Sequence, residues 1–148
     1  MKSALVTGTS TGIGLATSVL LAQSGYQVFA GMRNLDKASA LRAAAKEQQL
    51  PIEVLQLDVC DNNSVAAAFA KAQQAQPLDL LVNNAGIGGA SPLELTPESE
   101  HRQMFDTNYF GAVACIQQVL APMRERGSGA IVNITSAVGL LATPNQIP

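Results

Sequence analysis

Short apolar runs alternate with longer alanine-rich stretches along the whole chain. That pattern predicts β-strands joined by crossover helices, and therefore a parallel sheet. The predicted strands are "SALVT" (3–7), "QVFAG" (27–31), "IEVLQL" (52–57), "LDLLVN" (78–83) and "GAIVNIT" (129–135). Several are almost continuously apolar, as strands covered by helices on both faces must be. Between them, "GIGLATSVLLAQSG" predicts a first helix that ends with Gly25 at C′, and "LDKASALRAAAKEQQ" a second that begins near Asp36. "NNSVAAAFAKAQQ" predicts a third, with Asn62 or Asn63 as N-cap. A fourth helical region is expected from Thr96 as N-cap and Pro97 as first helical residue, running on towards Arg126. No repeat, low-complexity tract or linker interrupts the order. The expectation is one α/β domain over 1–148 with a doubly wound parallel sheet.

Composition narrows the partners. Hydrophobic residues make up 47% and charged ones 14%, with a net charge of −2, so electrostatics propose neither a nucleic-acid nor an acidic-membrane partner. The two cysteines, Cys60 and Cys115, have no metal-ligand spacing, and a single histidine, His101, excludes a zinc cluster. Both thiols are expected to be semi-buried in a reducing compartment. The amino-terminal apolar stretch is only "ALV", too short for a secretory leader. No apolar run approaches the roughly 18 to 20 residues of a membrane span, so the expectation is a cytoplasmic protein. At 148 residues the chain can bury a core but is short for an α/β enzyme with a complete substrate site. His101, the cysteines and the "RER" run at 124–126 are assigned no role.

Directly after the first strand, "TGTSTGIG" (7–14) opens the first helix. A glycine-rich turn from strand to helix aims backbone N–H groups and the positive end of the helix dipole at a phosphate, while the absent side chains let a pyrophosphate approach. A tight turn without a ligand would use the same glycines; the strand–helix–strand context favours a dinucleotide site. In a doubly wound sheet, ligands bind past the carboxyl ends of the strands, and Gly8, Asp58, Asn84 and Ser136 all fall at or just after such ends. Asp58 and the backbone of Val59 are expected at the adenine amino group, unless Asp58 merely caps a turn. Asn83 and Asn84 could equally bond local backbone and hold the fourth strand to its neighbour.

The turn has GxxxGxG spacing preceded by threonine, and it is followed in order by "LVNNAGIG" (81–88), "FDTNYFGA" (105–112) and "NITSAVG" (133–139). These motifs span nearly the whole chain, which on them resembles the short-chain dehydrogenase/reductase family. The resemblance implies a Rossmann-type sheet of seven strands, of which five are present, and a hydride transfer between nicotinamide and a carbonyl or alcohol. It implies a cofactor site at Gly8, Thr9, Ser10, Thr11, Gly12, Ile13, Gly14, Arg33, Asp58, Val59, Asn84, Ala85 and Gly86. It further implies a substrate-orienting Ser136, an Asn108 that supports a water and a lysine, and a homo-oligomer when full length. The other reading is a non-catalytic nucleotide-binding or interaction protein that uses the fold as it stands.

NAD enzymes usually carry an acid at the end of the second strand, for the adenosine ribose hydroxyls. That place is held by Met32, with Arg33 next to it, so a 2′-phosphate meets no repulsion and a guanidinium can bind it in bidentate fashion. NADP (as NADPH) is expected over NAD, with Arg33 as a plain solvated loop charge the other possibility. Some NADP-preferring members add a basic residue inside the turn, where this chain has Thr11.

The family transfers its proton from a tyrosine whose pKa is lowered by a lysine four positions on. Four residues after Tyr26 and Tyr109 stand Ala30 and Val113. Counted from Ser136, the family's tyrosine would fall just past Pro148. The chain is therefore expected to be the N-terminal part of a longer polypeptide, or the ordered part of one, inactive alone. Ser136 could also be a strand-end hydroxyl that bonds local backbone.

Overall fold

The computed structural model describes residues 1–89, 91–139 and 141. Five strands, β1 (Lys2–Thr7), β2 (Tyr26–Met32), β3 (Ile52–Gln56), β4 (Leu80–Asn83) and β5 (Ala130–Asn133), form one parallel sheet in the order β3-β2-β1-β4-β5. β1 lies at its centre, paired with β2 from Lys2↔Tyr26 to Thr7↔Gly31 and with β4 from Ala4↔Leu80 to Val6↔Val82. Each predicted strand is therefore present, with no end shifted by more than two residues.

The helices are α1 (Gly12–Gln23), α2 (Ser39–Glu47), α3 (Asn62–Ala75), α4 (Glu98–Phe105) and α5 (Gly111–Arg126). α1 stops where the sequence marks it: Gly25, at φ +87, donates its N–H to the Ala22 carbonyl at 3.0 Å. α2 is preceded by a 3-10 turn, Leu35–Ala38, whose cap Asn34 accepts from the Asp36 N–H. Two predicted caps move by one residue. Asp61, not Asn62 or Asn63, caps α3 by accepting from the Asn63 N–H at 2.9 Å; its carboxylate is the better acceptor at a positive helix end. Thr96 does not cap α4. Its hydroxyl donates back to the Pro92 carbonyl at 3.0 Å and closes a 3-10 turn at Leu93–Leu95, so Pro97 takes the cap position and the helix begins at Glu98. α4 and α5 are joined without a loop by one π-helical turn, Asp106–Phe110.

Alternate residues of each strand feed two cores. Leu5, Phe29, Leu55 and Leu81 pack with Val65 and Phe69 of α3 and with Cys115 and Val119 of α5. On the opposite face Val6, Val28, Ala30 and Val82 pack with Ala22 of α1 and Leu41 of α2. Burial on both faces is the physical reason the central strands carry no polar alternation. At β5 the cover thins: Val132 is 43% and Ile134 41% exposed.

Candidate active site

β1 and β4 are neighbours in the sheet, and the strand order reverses between them, so their carboxyl ends frame the crevice in which open α/β sheets bind ligands. Thr7, the last residue of β1, is 1% exposed, and its Oγ1 accepts from the N–H groups of Asn84 and Ala85 at 3.0 and 2.9 Å. Asn84 returns the contact: Nδ2 donates to the carbonyls of Thr7 and Gly8 at 2.9 and 3.0 Å. Gly8 has φ +70, and a Cβ there would stand 2.7 Å from the Ala85 Cα; a Cβ on Gly14 would collide with the Gly8 carbonyl and the Asn84 amide. Glycine is required at both positions because three backbone segments meet there.

The amino end of α1 is left open. Thr11 occupies the N-cap position in extended conformation without a side-chain cap bond, and the first turn holds no acid. The orphan N–H groups of that turn thus meet no side-chain acceptor, whereas those of α3 meet Asp61. A Cβ on Gly12 would find nothing within 4 Å. An uncapped helix start beside an open glycine surface suits a pyrophosphate, so the residues present fit a dinucleotide.

In front of this turn lies a cleft of about 410 Å³, lined by Gly8, Ser10, Thr11, Ile13, Gly14, Met32, Arg33, Leu57, Asp58, Val59, Cys60, Asn84, Ala85, Gly86, Ile87, Gln103 and Thr107. It gathers most of the cofactor residues expected from the sequence. Thr9 sits beneath it, fully buried, with its hydroxyl donating to the Gly31 carbonyl at 3.1 Å. Met32 is 1% exposed, while Arg33 stands exposed beside it. Asp58 caps its turn and also faces the cleft. Oδ1 accepts from the Cys60 N–H at 3.0 Å, a turn-capping bond, while the residue itself lines the cleft. The sequence reading missed Leu57, Cys60, Ile87, Gln103 and Thr107. Cys60 and Thr107 stand beside singled-out residues and meet across the cleft floor, Sγ to Oγ1, at 3.3 Å.

Asn108 lies in the π-helical turn and clamps Ile87: Nδ2 donates to its carbonyl at 2.8 Å and Oδ1 accepts from its N–H at 2.9 Å. Ile87 in turn lines the cleft. Ser136 is exposed and outside the cleft lining. Its Oγ accepts from the Val138 N–H at 3.3 Å, at the start of a 3-10 turn, Ala137–Gly139. The two cysteines are not alike, contrary to expectation: Cys60 is exposed and Cys115 is fully buried, and burial pushes the Cys115 thiol up to about 12 from the ordinary 9.0. Among the described residues no cluster of His, Cys, Asp and Glu could hold a metal ion, and no helix is long and apolar enough to cross a membrane.

The family model for short chain dehydrogenases matches residues 2–148. The chain belongs to that family. It is 44% identical over 143 residues to human retinol dehydrogenase 8, covering 94% of this chain and 45% of that protein. It is 39% identical over 149 residues to the 3-oxoacyl-acyl-carrier-protein reductase of Staphylococcus aureus, covering 98% of this chain and 60% of the relative. The chain thus spans about half the length of such family members. Among solved structures it resembles a gluconate 5-dehydrogenase from Burkholderia cenocepacia in complex with NADP and tartrate, with a TM-score of 0.89, 32% identity, and 98% of this chain and 57% of that one covered. It also resembles the actinorhodin polyketide ketoreductase with NADPH, with a TM-score of 0.93, 31% identity and coverage of 97% and 56%.

Proposed function

We propose that this chain is the cofactor-binding portion of an NADP-preferring oxidoreductase that acts on a small carbonyl or alcohol substrate and is a homo-oligomer when full length. The observation that carries the preference is the end of β2, where a buried Met32 replaces the acid of NAD enzymes and an exposed Arg33 shares the cleft wall with Ser10 and Thr11. Arg33 would hold the 2′-phosphate by paired N–H donors, and the open first turn of α1 would hold the pyrophosphate. Asp58 and the Val59 backbone would take the adenine amino group, with Asn84, Ala85 and Gly86 as the wall behind the cofactor. The bound nicotinamide would supply or accept the hydride. Ser136 would orient the substrate oxygen, and Asn108 would keep Ile87 at the cleft by its two-point clamp. Proton transfer needs a positioned acid, and neither Tyr26 nor Tyr109 has the lysine four residues on that the family uses.

Titration of NADPH and NADH against the wild type and Arg33→Ala tests the reading. The wild type is expected to prefer NADPH, and the substitution to weaken NADPH by about 1.5 to 3 kcal/mol, some 10- to 150-fold, with NADH unmoved. Equal weakening of both cofactors would remove Arg33 from the phosphate site.

A further inference from the structure

β5 is held in place by little apolar burial. Of its residues only Ile131 is partly buried, and among the described residues the strand has no neighbour on its outer side. Its connection to α5 is a helix C-cap, with Gly127 at φ +64 and the Gly127 and Ser128 N–H groups bonded to the Arg124 and Met123 carbonyls, and it gives β5 no apolar side chain. Strands with so little one-sided burial are weakly specified in register. One side-chain contact distinguishes the observed register. Asn83 and Asn133 stand opposite each other, and Asn83 Nδ2 donates to Asn133 Oδ1 at 2.9 Å. Asn83 is only 6% exposed, and its Oδ1 has no hydrogen-bond partner among the described residues. A buried amide that already has one orphan atom cannot give up its other partner cheaply.

We infer that the Asn83–Asn133 amide pair is a register lock for β5, and that Asn83 is thereby a positioning residue for Ser136. Slips of two residues preserve which face each side chain takes, and would set Ile131 or Thr135 opposite Asn83. Ile131 offers no acceptor and Thr135 a shorter one, while slips of one residue set Val132 or Ile134 there. Every other register therefore weakens or removes the Nδ2 bond. The main chain ends the ladder at the same place, with the Ile134 N–H donating to the Asn83 carbonyl at 2.8 Å. Ser136 follows Asn133 by three positions, so a slip of two residues would carry it about 7 Å along the strand. The consequence for chemistry rests on the role proposed for Ser136; the lock itself does not.

The test moves the amide along the strand. In Asn133→Ile/Thr135→Asn, the native register would oppose an aliphatic side chain to Asn83. A slip of two would restore an amide there and keep an isoleucine opposite Leu81. Backbone amide nuclear Overhauser contacts in the 148-residue chain read the pairing directly. The lock predicts that position 135 replaces position 133 beside Asn83, with NADPH affinity within about twofold of wild type because the glycine turn is untouched. Retention of the original pairing would overturn it, whether or not the dinucleotide binds. Should the double variant fail to fold, Asn133→Ala decides, since residue 133 is exposed. The β5 amides of Ile131, Val132 and Ile134 are expected to broaden or double as registers interchange, and one sharp native set would overturn the proposal.

Discussion

Thr7 shows how much one hydroxyl can carry. It joins the end of β1 to the two residues after β4, across 77 and 78 positions of sequence, whereas the sequence marks it only as the threonine before the glycine turn. Thr7→Val is expected to strand two N–H groups and cost about 2 to 4 kcal/mol in urea unfolding, at roughly 1 to 2 kcal/mol each, while Thr7→Ser retains most of the stability. The glycines and Asn84 were legible because residue type and place mark them, a residue without Cβ at a turn and an amide at a strand end, even though their partners are distant in sequence. Partners such as Thr7 and Thr107 were not, because their use depends on what the fold brings opposite. The cysteines allow a direct check. Ellman's reagent should titrate only Cys60 in the native chain and both thiols in denaturant, and saturating NADPH should slow the native reaction, since Cys60 lines the cleft. The raised Cys115 value means that the unfolded chain loses its proton first. Its contribution to stability is complete below pH 9.0 and is lost progressively as pH rises towards 12, which base titration of the melting temperature in Cys115→Ala and wild type would reveal.

At the scale of elements, existence and order were readable, and so was the end of α1 at Gly25, but the starts of α3 and α4 were not. "DNNS" offers four competent caps in series, and the structure uses the carboxylate of Asp61. "LTPE" reads as a threonine cap with proline at the first helical position, yet the Thr96 hydroxyl is taken by the Pro92 carbonyl of the preceding turn. The π-helical turn between α4 and α5 left no trace in the apolar pattern, because Asp106–Phe110 buries no residue. That turn carries Asn108, which faces Ile87 as a strand partner would, with one donor and one acceptor. Asn108→Ala should leave the fold intact and speed hydrogen exchange at the Ile87 amide by about 10-fold or more, the equivalent of one to two lost hydrogen bonds. An unchanged exchange rate would show that the clamp contributes nothing to holding the cleft edge.

The whole molecule is a doubly wound sheet whose central strands were recognisable from uninterrupted apolar runs, and whose cleft falls where the strand order reverses. Convergence of Gly8, Asp58 and Asn84 on one cleft followed from their shared place after strand ends; Ser136 shares that sequence position but stands outside the cleft lining, a distinction that only packing makes. Among the described residues β5 is an edge strand, with Val132 and Ile134 exposed. Such an edge invites pairing between copies, so Val132→Lys is expected to lower concentration-dependent association in light scattering. Turnover is a further expectation at this scale: the 148-residue chain should oxidise no NADPH with ketones or aldehydes, because it holds no tyrosine–lysine pair at the family's spacing. The central claim, that the glycine turn and its cleft bind a phosphorylated dinucleotide, is tested most directly by mapping NADPH-induced amide shifts along the chain, with Gly14→Val as control. The account predicts saturable shifts concentrated at residues 8–14, 32–34, 58–60 and 84–87, all abolished in the variant; shifts that appear elsewhere, or that persist unchanged in Gly14→Val, would contradict it.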